Sequence, residues 1–321
     1  MSENFPTAEH INDMSFELFV KAIHSPKDYD IRVADVGDTK VLDFAIGRKG
    51  TEEAGIALAE ICMGCLAKIE LLTPIGDLNR PQVKVTTSQP LKSCIGSQLA
   101  GWPLSHGDFF AMCSGPMRMP RGKEPVLTQY KLHQSAEVAV GVMESNELPA
   151  PEVIELIAQQ CGVESRDVNV CVARTASLPG AIQVVARSVE TAMHKLHELK
   201  FDLSTVVDGN GTAPIPPIPG DDLTAMGWTN DAILYGGKVN LTVDSEDEAI
   251  ESILDQIPSS SSDDFGKPFL EIFEESGRDF YKIDKLLFSP AEIVIRNQKT
   301  DREFSAGKIR NDILKTSFGI S

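Results

Sequence analysis

The amino-acid sequence predicts an α/β (α+β) protein of two α/β-type domains with a pocket between them, and three observations predict it. Runs rich in Val, Ile and Leu alternate along the 321 residues with stretches of helical period. The apolar run at 168–173 leads into a Gly/Pro-punctuated loop. An apolar stripe follows at spacings of three and four: Ile182, Val185, Val189, Ala192, Leu196 and Leu199. That is a strand–loop–helix order. The third observation is a shift to Gly, Pro and small residues over 208–222, which predicts a domain boundary. It gives an N-terminal domain of residues 1–207 and a C-terminal domain of 208–321, with discontinuity of either left open.

The elements follow in order. Residues 15–24 read as a helix, and 31–36 and 41–44 as strands paired around Gly37-Asp38. Residues 51–66 form a helix with Thr51 as its cap and Glu52 and Glu53 in its first turn. Residues 83–87, 109–112 and 137–143 are strands, 150–161 a helix and 168–173 a strand. After the 208–222 connector, 232–235 and 238–243 flank Gly236-Gly237 as a hairpin. Ser245 with Glu248 spells a capping box for a helix over 246–257. Residues 281–283 and 291–297 are late strands.

Composition narrows the function classes. A net charge of −17 repels nucleic acid and anionic membranes, so neither is an expected partner. No apolar run reaches the roughly 18 residues of a membrane span. The first seven residues lack the basic start and apolar core of a signal peptide, and the expected location is the cytoplasm. Six cysteines sit in apolar or small-residue settings and read as reduced structural thiols; Cys62-Met-Gly-Cys65 has no second pair at finger spacing. No Gly-x-Ser-x-Gly, Walker or Gly-x-Gly-x-x-Gly motif is present, which argues against serine hydrolases and nucleotide enzymes.

On the helix after Gly180, Gln183, Arg187, Glu190, His194 and His197 gather on a second face, away from the apolar stripe. Arg187 and Glu190 stand at i and i+3. A carboxylate beside a guanidinium stays ionised and can polarise a water. Spacing alone favours a solvated surface pair. Glu190, His194 and His197 do not spell His-Glu-x-x-His, and the histidines read as polar-face or substrate-contacting groups rather than metal ligands.

The wording of that segment, Ser177-Leu-Pro-Gly-Ala-Ile-Gln-Val-Val-Ala-Arg-Ser-Val-Glu-Thr-Ala-Met-His-Lys-Leu-His197, resembles the methenyltetrahydromethanopterin cyclohydrolases. The resemblance runs through Glu53-Ala-Gly and Glu60-Ile-Cys-Met-Gly64, then Gly96-Ser-Gln-Leu-Ala-Gly-Trp102. It continues in Thr229-Asn-Asp-Ala-Ile-Leu-Tyr-Gly-Gly237 and Asp279-Phe-Tyr-Lys-Ile-Asp284 through Leu287-Phe-Ser-Pro-Ala-Glu292. Such enzymes hydrolyse the methenyl bridge of a pterin carrier to the 5-formyl form. The resemblance implies that Glu190 activates the water and that Arg187 holds Glu190 charged and helps place the substrate. It implies a homotrimer with no metal and no redox cofactor.

Ser97, Gln98, Asn230 and Asp231 are polar groups suited to a pterin edge. Ser177 either caps the helix or lines an anion site at its N-terminus. Gln183 joins them as a substrate-binding candidate. Trp102, Trp228 and Tyr281 are flat enough to stack on the ring, and the resemblance favours Trp102. The chain departs from the family wording at Trp228 (usually Arg), at Met117 and Met119 around Arg118 with Arg121 and Lys123 after it, and at Lys285 (usually Pro). These leave Arg187 and Glu190 untouched and bear on how the outer, anionic part of the substrate is held. The function expected is hydrolysis of 5,10-methenyltetrahydromethanopterin or its dephosphorylated analogue. The same reaction on a folate carrier, or a pterin binder without turnover, are the alternatives.

Overall fold

A computed structural model describes residues 10–74 and 76–320. The N-terminal residues that carried the signal-peptide reading lie outside them, as does the side chain of Tyr281. Along the chain run α1 (Ile11–His24), β1 (Arg32–Val36), β2 (Thr39–Asp43), α2 (Glu52–Cys62), β3 (Lys68–Leu72) and β4 (Gln82–Thr87). An eight-residue π-helix, Leu91–Gln98, leads to β5 (Trp102–His106), β6 (Phe109–Ser114), α3 (Arg118–Arg121), α4 (Pro125–Gln129) and β7 (Ala139–Glu144). Then come α5 (Pro151–Cys161), β8 (Val168–Ala173), α6 (Leu178–Val185), α7 (Ser188–Glu198), β9 (Val206–Pro214) and α8 (Asp222–Leu234). The chain closes with β10 (Lys238–Val243), α9 (Asp247–Glu251), α10 (Phe269–Glu275), β11 (Glu292–Asn297), β12 (Arg302–Gly307) and α11 (Asn311–Phe318).

The α/β class holds, with one six-stranded sheet in each of two compact units. The units are interleaved in sequence. One comprises residues 1–68 and 92–183, the other 69–91 and 184–321. The expected division after residue 207 therefore falls inside β9, and the Gly/Pro-rich stretch read as a connector is in its first half a strand. Glycine there serves close approach: a Cβ on Gly209 would come 2.9 Å from Val189 Cγ1, and one on Gly211 2.5 Å from Ser188 Oγ.

In the first unit the strand order is β1-β2-β8-β7-β6-β5, with β8 parallel to both β2 and β7. Every residue of β8 is buried, the mark of a parallel strand covered on both faces. Val168, Val170 and Val172 face a cluster with Val153, Ile154 and Ile157 of α5. Cys171 and Ala173 face Phe19 of α1 and Leu58 and Ile61 of α2. Thr51 caps α2 as expected, its hydroxyl accepting from the Ala54 N–H at 3.1 Å.

In the second unit the order is β12-β11-β10-β9-β4-β3, and α7 lies on β9 and β10. Three sequence expectations change here. Residues 232–235 end helix α8 rather than forming a hairpin strand. The helix expected over 246–257 shortens to α9 and a 3₁₀ turn, with Glu246 in the cap position and no side-chain cap bond. Residues 280–282 are a 3₁₀ turn rather than a strand. The serine run at 259–262 is tied down: Ser259 Oγ donates to Leu234 O, and Ser262 Oγ to Asp284 at 2.7 Å.

Candidate active site

The single helix expected after Gly180 is broken into α6 and α7, and the break falls at Ala186-Arg187. Arg187 is the cap residue of α7, with ψ near 6°, and its carbonyl accepts from the Thr191 N–H at 2.8 Å and the Thr191 hydroxyl at 2.7 Å. Glu190 is thereby the third residue of α7, in the first turn, where unpaired N–H groups and the helix dipole favour a negative charge. Both side chains are sequestered, each residue only 6% exposed. That burial decides against the solvated surface pair. Charged groups are rarely this deep unless they are partnered or functional.

The apolar stripe seats this turn. Ile182, Val185, Val189, Ala192 and Leu196 are fully buried, and Leu199 is half-buried. One turn beyond Glu190, Lys195 is fully buried and donates to Leu286 O and to Ser261 Oγ at 3.1 Å. Desolvation pulls its ammonium down to about 8, against the pull of Asp284. His194 and His197 are half-buried, and burial lowers His197 from 6.5. Among the described residues no cluster of His, Cys, Asp or Glu could hold a metal ion.

The other predicted residues divide between the units. Gln98 ends the π-helix, fully buried. That end is held by Arg118, whose Nη1 donates to Ile95 O at 2.9 Å and Ser97 O at 3.0 Å while its Nε and Nη2 grip Glu124. Ser97 is committed to the fold, its hydroxyl donating to Cys62 O at 2.7 Å. Trp102 is 2% exposed in the core, with the Arg121 guanidinium 4.3 Å above its ring. One face of the ring is thus covered by Arg121. Ser177 caps α6: its hydroxyl donates to Arg174 O at 2.7 Å and accepts from the Gly180 N–H at 3.0 Å. Gln183 is fully buried and its Nε2 donates to Glu144 Oε1 at 3.1 Å.

In the second unit Asn230 donates to Met226 O at 2.9 Å, a bond back along its own helix. Asp231 locks three helices together. Its Oδ1 accepts from the Phe269 N–H at 2.8 Å and its Oδ2 from the Ser317 hydroxyl at 2.5 Å. Full burial raises its carboxyl from 3.8 to about 7. Each oxygen thus holds the fold by one bond. Trp228, the departure from the family wording, packs against Phe318 of α11 with ring centroids 6.2 Å apart.

Asp231 makes a pH prediction. Its folded value lies above its unfolded one, so the folded state holds the proton more tightly. Stability from this group is full below 3.8 and is lost as pH rises through about 7. Asp231→Asn should flatten the stability curve over that window by on the order of 2–4 kcal/mol and leave turnover unchanged. Urea melts across the window check it; an unchanged slope would remove Asp231 as its source.

The sequence reading gave no role to Glu144, which bonds Gln183, or to Arg118, which holds the end of the π-helix. Glu144 is the last residue of β7, one position past the strand end the apolar run suggested.

With this geometry in place, comparison with known proteins bears on its meaning. A family model described as Cyclohydrolase (MCH) matches residues 10–318. A methenyltetrahydromethanopterin cyclohydrolase of Rhodopirellula baltica is 46% identical over 291 residues, covering 89% of this chain and 87% of that protein. Proteins of the same name from Methylobacillus flagellatus and Methanospirillum hungatei are 43% and 39% identical, over 88% and 96% of this chain and 86% and 98% of their own lengths. A match over nearly the whole chain, in a protein that buries an arginine and a glutamate in the first turn of α7, leaves one conclusion: this chain belongs to the cyclohydrolase (MCH) family.

Proposed function

We propose that this protein hydrolyses 5,10-methenyltetrahydromethanopterin, or its dephosphorylated analogue, to the 5-formyl form. The observation that carries the reading is the buried Arg187 and Glu190 at the N-terminus of α7, in a chain aligned end to end with cyclohydrolases. The methenyl carbon lies between two nitrogens in a cationic amidinium and is already electrophilic. What the reaction lacks is a partly deprotonated water in place. Glu190 takes a proton from that water as its oxygen bonds to the methenyl carbon, giving a carbinol. Glu190 then returns the proton to N10 as the carbon–N10 bond breaks. The carbinol hydroxyl releases its proton and becomes the formyl carbonyl on N5, so one proton leaves overall as a cation becomes a neutral amide. Arg187 keeps Glu190 ionised and oriented for both transfers.

Gln98 and Gln183 are the polar residues we retain for the pterin. Ser97, Ser177, Trp102 and Asp231 serve the fold, and Asn230 bonds within its own helix. A homotrimer, residence in the cytoplasm and independence of metal and redox cofactors belong to the same proposal, supported by the family resemblance. No described helix is long and apolar enough to cross a membrane.

The test is loss of the methenyl chromophore on mixing protein with methenyltetrahydromethanopterin, with methenyltetrahydrofolate in parallel, in buffer containing a metal chelator. Rapid hydrolysis of the first, and at least about 10-fold slower hydrolysis of the second, is expected. Binding without acceleration of either would overturn the catalytic reading in favour of a pterin binder. Light scattering on the same sample checks for three copies of the 34.9 kDa chain.

A further inference from the structure

Helix α7 carries a charged group that the hydrolysis does not use. Lys195 is fully buried, and its ammonium donates to Ser261 Oγ at 3.1 Å and to Leu286 O. Those acceptors lie in two 3₁₀ turns, Ser259–Ser261 and Lys285–Leu287. Both turns are held from behind. The Ser261 hydroxyl donates to Gln256 O at 2.7 Å. Asp284 accepts from the Leu286 N–H at 3.0 Å and from the Ser262 hydroxyl at 2.7 Å. A buried ammonium is costly, and an apolar side chain of similar volume commonly serves a fold as well or better. Stability alone therefore gives no reason for a charge at this place.

The geometry of α7 gives one. The helix rests on β9 through Ser188 and Val189, packed against Gly209 and Gly211. Apolar contact of that kind resists separation but has no direction, so it resists rolling only weakly. Hydrogen bonds are directional. At 100° per residue, Lys195 leaves the helix about 120° round from Val189 on one side, and Glu190 about 100° round on the other. A roll of about 15° would carry a side-chain tip about 5 Å from the axis through about 1.3 Å.

We propose that Lys195 is a positioning residue: by tying α7 to the two turns it fixes the roll of the helix, and with it the place of the Glu190 carboxylate. The seat on β9 sets how close the first turn lies to the sheet, and the ammonium sets which way that turn faces. The inference rests on Glu190 being the proton acceptor of the hydrolysis. It concerns where that carboxylate is held rather than what it does.

The experiment is a double-mutant cycle of Lys195→Met with Glu190→Gln, read as hydrolysis of the methenyl substrate. Lys195→Met should lower kcat at least about 10-fold, leave KM within about 3-fold and keep a native or higher melting temperature. In the Glu190→Gln background the same substitution should cost less than about 2-fold, because no base remains to be misplaced. A merely structural lysine would lower the melting temperature and reduce turnover alike in both backgrounds. Ser261→Ala removes one acceptor at a half-buried position and carries the test if Lys195→Met does not fold; it should cost about 3-fold in kcat, again only with Glu190 present. A second arm needs no substrate: amide hydrogen exchange across residues 187–193 should quicken at least about 5-fold in the variant. Native kcat in a folded variant, equal losses in both backgrounds, or unchanged exchange overturns the inference. A wild type that hydrolyses nothing, with exchange quickened in the variant, supports the clamp on α7 and overturns the cyclohydrolase reading instead.

Discussion

Glu190→Gln should lower kcat by about 100-fold or more, with KM and melting temperature close to native. The substitution keeps the size of the side chain and its place in the first turn of α7, so the fold has little reason to respond. What it removes is the carboxylate proposed to accept the water's proton and return it to N10. Glutamine holds a water by hydrogen bonds without basicity, so binding survives and proton transfer does not. The loss should show as a vertical drop of the pH–rate profile rather than a shift along the pH axis. Stopped-flow loss of the methenyl absorbance measures it, and near-native turnover would remove Glu190 from the chemistry.

Gly211→Ala should lower turnover at least about 10-fold and stability by about 1–3 kcal/mol. No backbone strain is involved; the cause is contact. The added Cβ would lie 2.5 Å from Ser188 Oγ and 3.0 Å from Val189 Cγ2, so the first turn of α7 must move off β9. That turn carries Arg187 before it and Glu190 within it. A displacement of a fraction of an ångström is costly in a reaction that depends on where a water is held. Ser188 makes the test sharp. Its hydroxyl is buried without a hydrogen-bond partner, so Ser188→Ala alone should be nearly neutral. Combined with Gly211→Ala it should restore more than half of the lost turnover. Full activity in Gly211→Ala, or no recovery in the double variant, would show that the helix does not need this seat.

Legibility of the fold in the sequence followed how local its causes were. Strand β8 was readable to the residue because valine at every second position over 168–172 spells a period of two. The Thr51 cap was readable because its bond reaches only three residues along. The end of α8 was misread because Ala-Ile-Leu-Tyr before a glycine pair is locally as good a strand as a helix end. Only Asp231, reaching Phe269 and Ser317 from the same helix, shows which of the two the fold uses. Likewise Gly209 and Gly211 read as linker residues because a missing Cβ signals either freedom or contact, and the contact is with a helix some twenty residues earlier. Spacing put Arg187 and Glu190 on one face and the family resemblance gave them their roles, but burial, which separates them from a surface pair, is a tertiary property. The bond between Gln183 and Glu144 was invisible because it joins residues 39 apart in the chain.

The interleaving of the two units bears on how the chain is born. Strand β4 pairs with β9, yet Thr86 leaves the ribosome roughly 120 residues before its partner Asn210. The segment 69–91 must therefore wait, the edge that β9 will cover unsatisfied, while residues 92–183 of the first unit are synthesised after it. Exposed edges of this kind are where nascent chains aggregate or recruit chaperones. A ribosome paused after residue 183 would hold a nearly finished first unit with an orphaned hairpin arm, and no single cut in the gene yields either unit whole.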